Sequence, residues 1–203
     1  MSFRNYPAQN ASAARSTHLL RVVGVIVAAF TLARSTAAQT PLPGGQPSGP
    51  VIQSNGPSFK VDDPTFTIPA GHTFKALFII NAGGGDSAKV IEQLTTMARY
   101  FNLHARNGIP VDRVKGAAVF HGNGWPAILN DSAFAARFGG KPNPSRRLVE
   151  ELLQSGATLV LCGQTAGNRG IHREELLPGV KVAISAMSAT VLLQSEGYQL
   201  IPW

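Results

Sequence analysis

Short, continuously apolar runs alternate along this chain with segments of helical period, and that alternation restricts the fold more than any other feature of the sequence. The runs fall at residues 76–80 (ALFII), 117–120 (AAVF), 158–161 (TLVL), 180–184 (VKVAI) and 198–201 (YQLI). Between the first two, residues 89–107 place Val90, Leu94, Met97 and Phe101 at three-to-four spacing and stop at Gly108 and Pro110, as a helix does. An amphipathic stretch over 126–138 and a helix over 144–154 follow, the second with Leu148, Leu152 and Leu153 on one face and Gly156 as its cap. A short helix closed by Gly197 separates the last two runs. Strands that are apolar throughout and separated by helices imply a parallel sheet covered on both faces. The expected fold is therefore α/β, three layers with a five-stranded, mainly parallel sheet.

The domain is expected to begin well inside the chain. Residues 1–38 contain Arg4, Arg15, Arg21 and Arg34, no acid, and an apolar run over 22–32. That run is too short to span a bilayer, and Thr36-Ala-Ala38 supplies the small residues that signal peptidase requires, so 1–38 reads as a signal peptide cut near Gln39. An uncleaved anchor is the competing reading. Residues 39–58 (QTPLPGGQPSGPVIQSNGPS) are rich in Pro, Gly, Ser and Gln and read as a flexible tether or extended arm. Residues 59–203 remain, the size of one domain with one core. The expected location is the periplasm, with no membrane association after cleavage.

Charge excludes one class of partner. The full chain has 18 Lys and Arg against 11 Asp and Glu. Four of those basic residues and none of the acids lie in 1–38, which leaves the remainder at +3. Arg146-Arg147 is the only basic doublet, so no nucleic-acid surface is expected. Neither a metal site nor a cofactor is expected.

In an open parallel sheet, ligands bind at the carboxyl ends of the strands, where helix N-termini present free amides. Three segments fall there: 81–86 (NAGGGD), 121–124 (HGNG) and 162–165 (CGQT). The first fits G-x-G-x-x-A through Gly83, Gly85 and Ala88. Against a dinucleotide stand the charge of Asp86 and a second strand that ends in His121 in place of an acid for the ribose. The second segment is similar to the oxyanion loop of esterases, yet no G-x-S-x-G exists; residues 183–187 (AISAM) lack both glycines. His121 remains a candidate proton carrier or hydrogen-bond partner, and equally a structural residue. The third segment holds Cys162, the only cysteine in the chain. A thiolate at a strand end that opens a helix faces free N–H groups, which lowers its pKa, and Arg169 seven residues on could add positive charge. On position alone, a reactive thiol and an inert buried one are equally supported.

The stretch from Cys162 to Tyr198 resembles the DsrE/DsrF family, the YchN-like and TusD-like sulfur-relay proteins. The resemblance rests on the cysteine ending the third strand, on Arg169-Gly170, on Leu177-Pro-Gly-Val180 before the fourth strand, and on Gln194 through Gly197-Tyr198 before the fifth. Residues 119–131 (VFHGNGWPAILND) also resemble the family's strand, His-Gly and helix, and the similarity extends over about 74–201. It implies a five-stranded, three-layer α/β fold assembled as a homo-oligomer, a trimer or hexamer. It further implies that Cys162 carries sulfane sulfur as a persulfide, in relay with a donor or acceptor protein. His121 and Arg169 then stand as electrostatic helpers. Asn81, Gly83, Gly84, Gly122, Gly163 and Gln164 stand as binding residues around the crevice. The alternative is a non-catalytic, oligomeric small-ligand-binding protein of the same fold.

Overall fold

The computed structural model describes residues 47–83 and 89–202. The expected signal peptide, residues 39–46 of the expected tether, and Gly84 lie outside the described residues. All that is described belongs to the unit Leu42–Trp203.

Every apolar run forms a strand. In chain order these are β1 (Phe74–Ile80), β2 (Val114–Phe120), β3 (Thr158–Cys162), β4 (Lys181–Ala183) and β5 (Gln199–Leu200). The helices are α1 (Glu92–Arg106), α2 (Asp131–Arg137), α3 (Arg146–Gln154), α4 (Gly163–Arg169) and α5 (Ala186–Ser195). The strand order is β4-β3-β2-β1-β5 and each pairing is parallel. The two edge strands are three and two residues long, which limits the unpaired backbone a sheet edge exposes. The amphipathic stretch over 126–138 divides into a 3-10 turn, Trp125–Ile128, and α2. Asn130 causes the division: its side chain accepts from Ala133 N–H at 2.9 Å and starts a new helix there.

Alternation along the strands distributes side chains unequally between the faces. Phe78 and Ile80 of β1, Phe120 of β2, and Leu159 and Leu161 of β3 join Leu94, Met97 and Phe101 of α1 and Leu148 and Leu152 of α3 in the larger core. Each such large side chain contributes on the order of 1.5–3 kcal/mol by leaving water. A Cβ at Gly116 in mid-β2 would come within 2.7 Å of the Phe101 ring, so glycine there admits the ring. On the other face Leu77, Ala117, Val119 and Val160 pack with Ala189 and Leu193 of α5, with the partly buried Ile79, Ala183, Ala186 and Tyr198 beside them. Among the described residues, α5 is the helix of this cluster.

One expectation about domain organisation is corrected. Residues 47–58, read as part of a flexible tether or extended arm, are an ordered arm packed against α1 and α3. Ile52 is fully buried, and the buried Asn102 of α1 holds the backbone around it. Its Oδ1 accepts from Val51 and Ile52 N–H at 3.1 and 2.8 Å, while its Nδ2 donates to the carbonyls of Ile52, Asn55 and Gly56 at 2.9, 3.0 and 2.9 Å. Arg106 donates to Gly49 O at 2.6 Å, and Glu151 accepts from Ser54 N–H at 2.9 Å. Composition finds few apolar anchors, Val51 and Ile52 within 47–58; the rest of the ordering comes from polar side chains of other elements that satisfy the arm's backbone.

Candidate functional site

The alternation that places Val160 on the α5 side of the sheet places Cys162 there too, two residues on. Cys162 is the last residue of β3, and its successor opens α4. The turn after β4 arrives at the same point. Ser185 caps α5, accepting from Ser188 N–H at 3.0 Å, and this fixes Ala186 as the first helical residue. Gly163 lets the two turns meet, because a Cβ on it would lie 2.5 Å from Ala183 O.

The thiol sulfur is consequently surrounded by donors. Burial pushes its pKa up. Hydrogen bonds from the Thr165 amide and hydroxyl, and from the amides of Ala186 and Gln164, outweigh that and hold the thiol below the usual cysteine value. The residue is only 5% exposed. It nevertheless lines a crevice of about 450 Å³ at the carboxyl edge of the sheet. Ile79 and His121 form the wall on the β1 and β2 side, Gln164 and Thr165 that on the α4 side. Ser185, Ala186, Met187 and Thr190 complete it from α5.

Of the residues expected at the site, Cys162, His121 and Gln164 come together at this crevice. Gln164 is held in place by donating from Nε2 to Ile184 O at 3.1 Å. Arg169 does not approach the thiol. It is the last residue of α4, about 10 Å along the helix from Cys162 at ~1.5 Å per residue, and its guanidinium donates to Asn123 Oδ1 at 3.1 Å. The groups that lower the thiol's pKa are amides and a hydroxyl.

Asn81, Gly83 and Gly122 sit instead where the β1 and β2 loops meet. Asn123 N–H donates to Asn81 O at 3.0 Å, and Gln93 Oε1 accepts from Asn81 and Ala82 N–H, each at 3.2 Å. A Cβ on Gly83 would collide with Asn123 O, so its role there is close approach of two loops. Thr165 closes the 162–165 segment that the sequence reading named, whereas that reading missed Ser185, Ala186 and Met187. The rule that sites gather at strand carboxyl ends points to residues 184–187, since they follow the fourth apolar run.

Among the described residues, no three His, Cys, Asp or Glu side chains gather to hold a metal ion. No described helix is long and apolar enough to cross a membrane.

A five-stranded parallel sheet with a low-pKa thiol at its carboxyl edge defines an α/β protein of the cysteine-bearing kind. The DsrE/DsrF-like family model matches residues 75–203, and the chain belongs to that family. No curated protein matches the chain in sequence. Solved structures that resemble it include the protein of unknown function MTH1491 from Methanobacterium thermoautotrophicum, at 20% identity and a TM-score of 0.47, covering 63% of this chain and 97% of that one. The ychN protein from E. coli matches at 15% identity and a TM-score of 0.42, covering 64% and 100%.

Proposed function

We propose that this protein carries sulfane sulfur as a persulfide on Cys162. The observation that supports this reading most is the setting of the sulfur: three amides and a hydroxyl stabilise its anion at the edge of a crevice that admits a small molecule. The thiolate is the species that attacks sulfane sulfur. A bond forms between the two sulfurs, the bond from the attacked sulfur to its donor breaks, and the donor leaves with that electron pair. A nucleophile on the acceptor reverses the sequence. His121 is positioned on the crevice wall to meet the donor or acceptor. Whole-protein mass after incubation with polysulfide tests the reading. The expected result is a gain of sulfur that reductant reverses and that Cys162→Ala abolishes; no gain in the wild type refutes it.

The layout of residues 1–38 supports export to the periplasm with cleavage near Gln39, and N-terminal sequencing of the periplasmic fraction tests it. A homo-oligomer, a trimer or hexamer, is supported by the outer surface of α5. That helix contains no charged residue, and it exposes Met187, Val191 and Leu192 at 77%, 67% and 60%, with Ile184 beside them at 81%. An apolar patch of this kind on a soluble domain marks a contact surface.

A further inference from the structure

Resting on that sulfur-carrier reading, we infer that the donor is an uncharged chain or ring of divalent sulfur, of which elemental sulfur is the simplest, and not an oxyanion such as thiosulfate. The crevice wall carries no Lys, Arg, Asp or Glu among the described residues, and His121 is its one titratable side chain besides the thiol. An oxyanion needs donors or cations of its own. The amides of Gln164, Thr165 and Ala186 and the Thr165 hydroxyl bond the thiol sulfur, and the other described side chains on the wall include no lysine or arginine. The amides of Ser188 and Ala189 at the start of α5 donate to Ser185 Oγ and Ser185 O, at 3.0 and 3.1 Å. The cation nearest in sequence, Arg169, is bound to Asn123 at the far end of α4. A doubly charged donor would therefore approach an anionic sulfur with no lysine or arginine among the described wall residues to offset the repulsion. Apolar sulfur meets the opposite conditions. Ile79, Ala186 and Met187 give it an apolar wall, with a polarizable thioether on the rim, and a volume of about 450 Å³ has room for an eight-membered sulfur ring.

The reaction balances without an added oxidant. The Cys162 thiolate attacks one ring sulfur, the neighbouring S–S bond opens, and the negative charge moves to the far end of the chain. No group leaves. A thiol acceptor then shortens the chain by ordinary exchange. With thiosulfate, by contrast, sulfite must depart from the same uncharged crevice.

The test compares initial rates of sulfur loading on full-length mature protein at pH 8, with elemental sulfur or with thiosulfate, each rate divided by that of free cysteine with the same donor. The quotient for elemental sulfur is expected to exceed that for thiosulfate at least tenfold. Gln164→Lys, at an exposed position of the crevice wall on α4 and away from the outer surface of α5, is expected to raise the thiosulfate quotient at least tenfold by supplying the missing cation. Equal quotients in the wild type, or a thiosulfate quotient untouched by the lysine, overturn the inference while leaving the carrier reading intact. Absence of loading from either donor overturns the carrier reading itself.

Discussion

Removing the Thr165 hydroxyl while keeping the shape of the side chain isolates one of the groups that lower the thiol's pKa. Thr165→Val does this, since valine is also β-branched and equally compatible with its place in α4. The backbone amide of residue 165 remains, as do those of Gln164 and Ala186. A hydrogen bond to a charged group is worth about 1.5–3 kcal/mol. The crevice is open to solvent, so the lower end applies, and about 1.4 kcal/mol is a tenfold change in an equilibrium. On the acid side of the thiol's midpoint the thiolate population falls about tenfold. A more basic thiolate is also a better nucleophile, with a Brønsted coefficient near 0.4–0.5, which restores about threefold. The net expectation is alkylation slowed about threefold below the midpoint, with the midpoint moved to higher pH. Iodoacetamide kinetics across pH 5–10 measure both, and Thr165→Ser should retain the wild-type profile. Superimposable profiles for wild type and Thr165→Val would refute the claim that this hydroxyl stabilises the anion.

Three further outcomes are expected. The native thiol's pKa is held below its ordinary value, so ionisation adds stability that is complete above the unfolded pKa and lost as pH falls through the native one; the melting temperature of wild type relative to Cys162→Ser should rise with pH over that window. Asn102→Ala leaves five backbone groups of the arm and its surroundings without their partner, and should cost about 3 kcal/mol or more by denaturant unfolding, with new proteolytic cuts within 47–58. Val191→Lys, on the exposed surface of α5, should lower the mass measured by light scattering without shifting the melting temperature of the dissociated chain; an unchanged oligomer would remove α5 from the interface.

The fold was largely legible because its strands are written as continuous apolar runs. A run such as 76–80 is buried on both faces and carries no alternation to misread, and the glycines that end each helix mark the boundaries. What escaped was the arm. Gln39 to Ser58 looks unable to fold by composition, and by its own side chains it is; order in 47–58 comes from Asn102, Arg106 and Glu151, which sit far along the sequence on helices whose faces read as polar and solvated. A polar residue that satisfies someone else's backbone has no periodic signature. The division of 126–138 at Asn130 was readable, since an N-cap residue stands in the middle of the stretch.

For the site, the sequence placed the thiol at a strand end and attributed its lowered pKa to free backbone N–H groups, with Arg169 as a further contributor; the amides are there and Arg169 is not. Arg169 was credited because seven residues looks close, whereas a helix of that length carries it about 10 Å away and into the hands of Asn123. What the sequence did not single out is the Thr165 hydroxyl and the Ala186 amide, the second brought in by the turn after β4. The face on which Cys162 lies is nevertheless derivable from strand alternation. Val160 and Cys162 share a side; Leu159 and Leu161 pack into the larger core opposite, under α1 and α3. Cys162 therefore projects toward the layer that the uncharged helix α5 covers, where the crevice of about 450 Å³ opens. Had β3 ended one residue earlier or later, the thiol would have pointed into the thick core, where burial without donors pushes a cysteine's pKa up and leaves it inert.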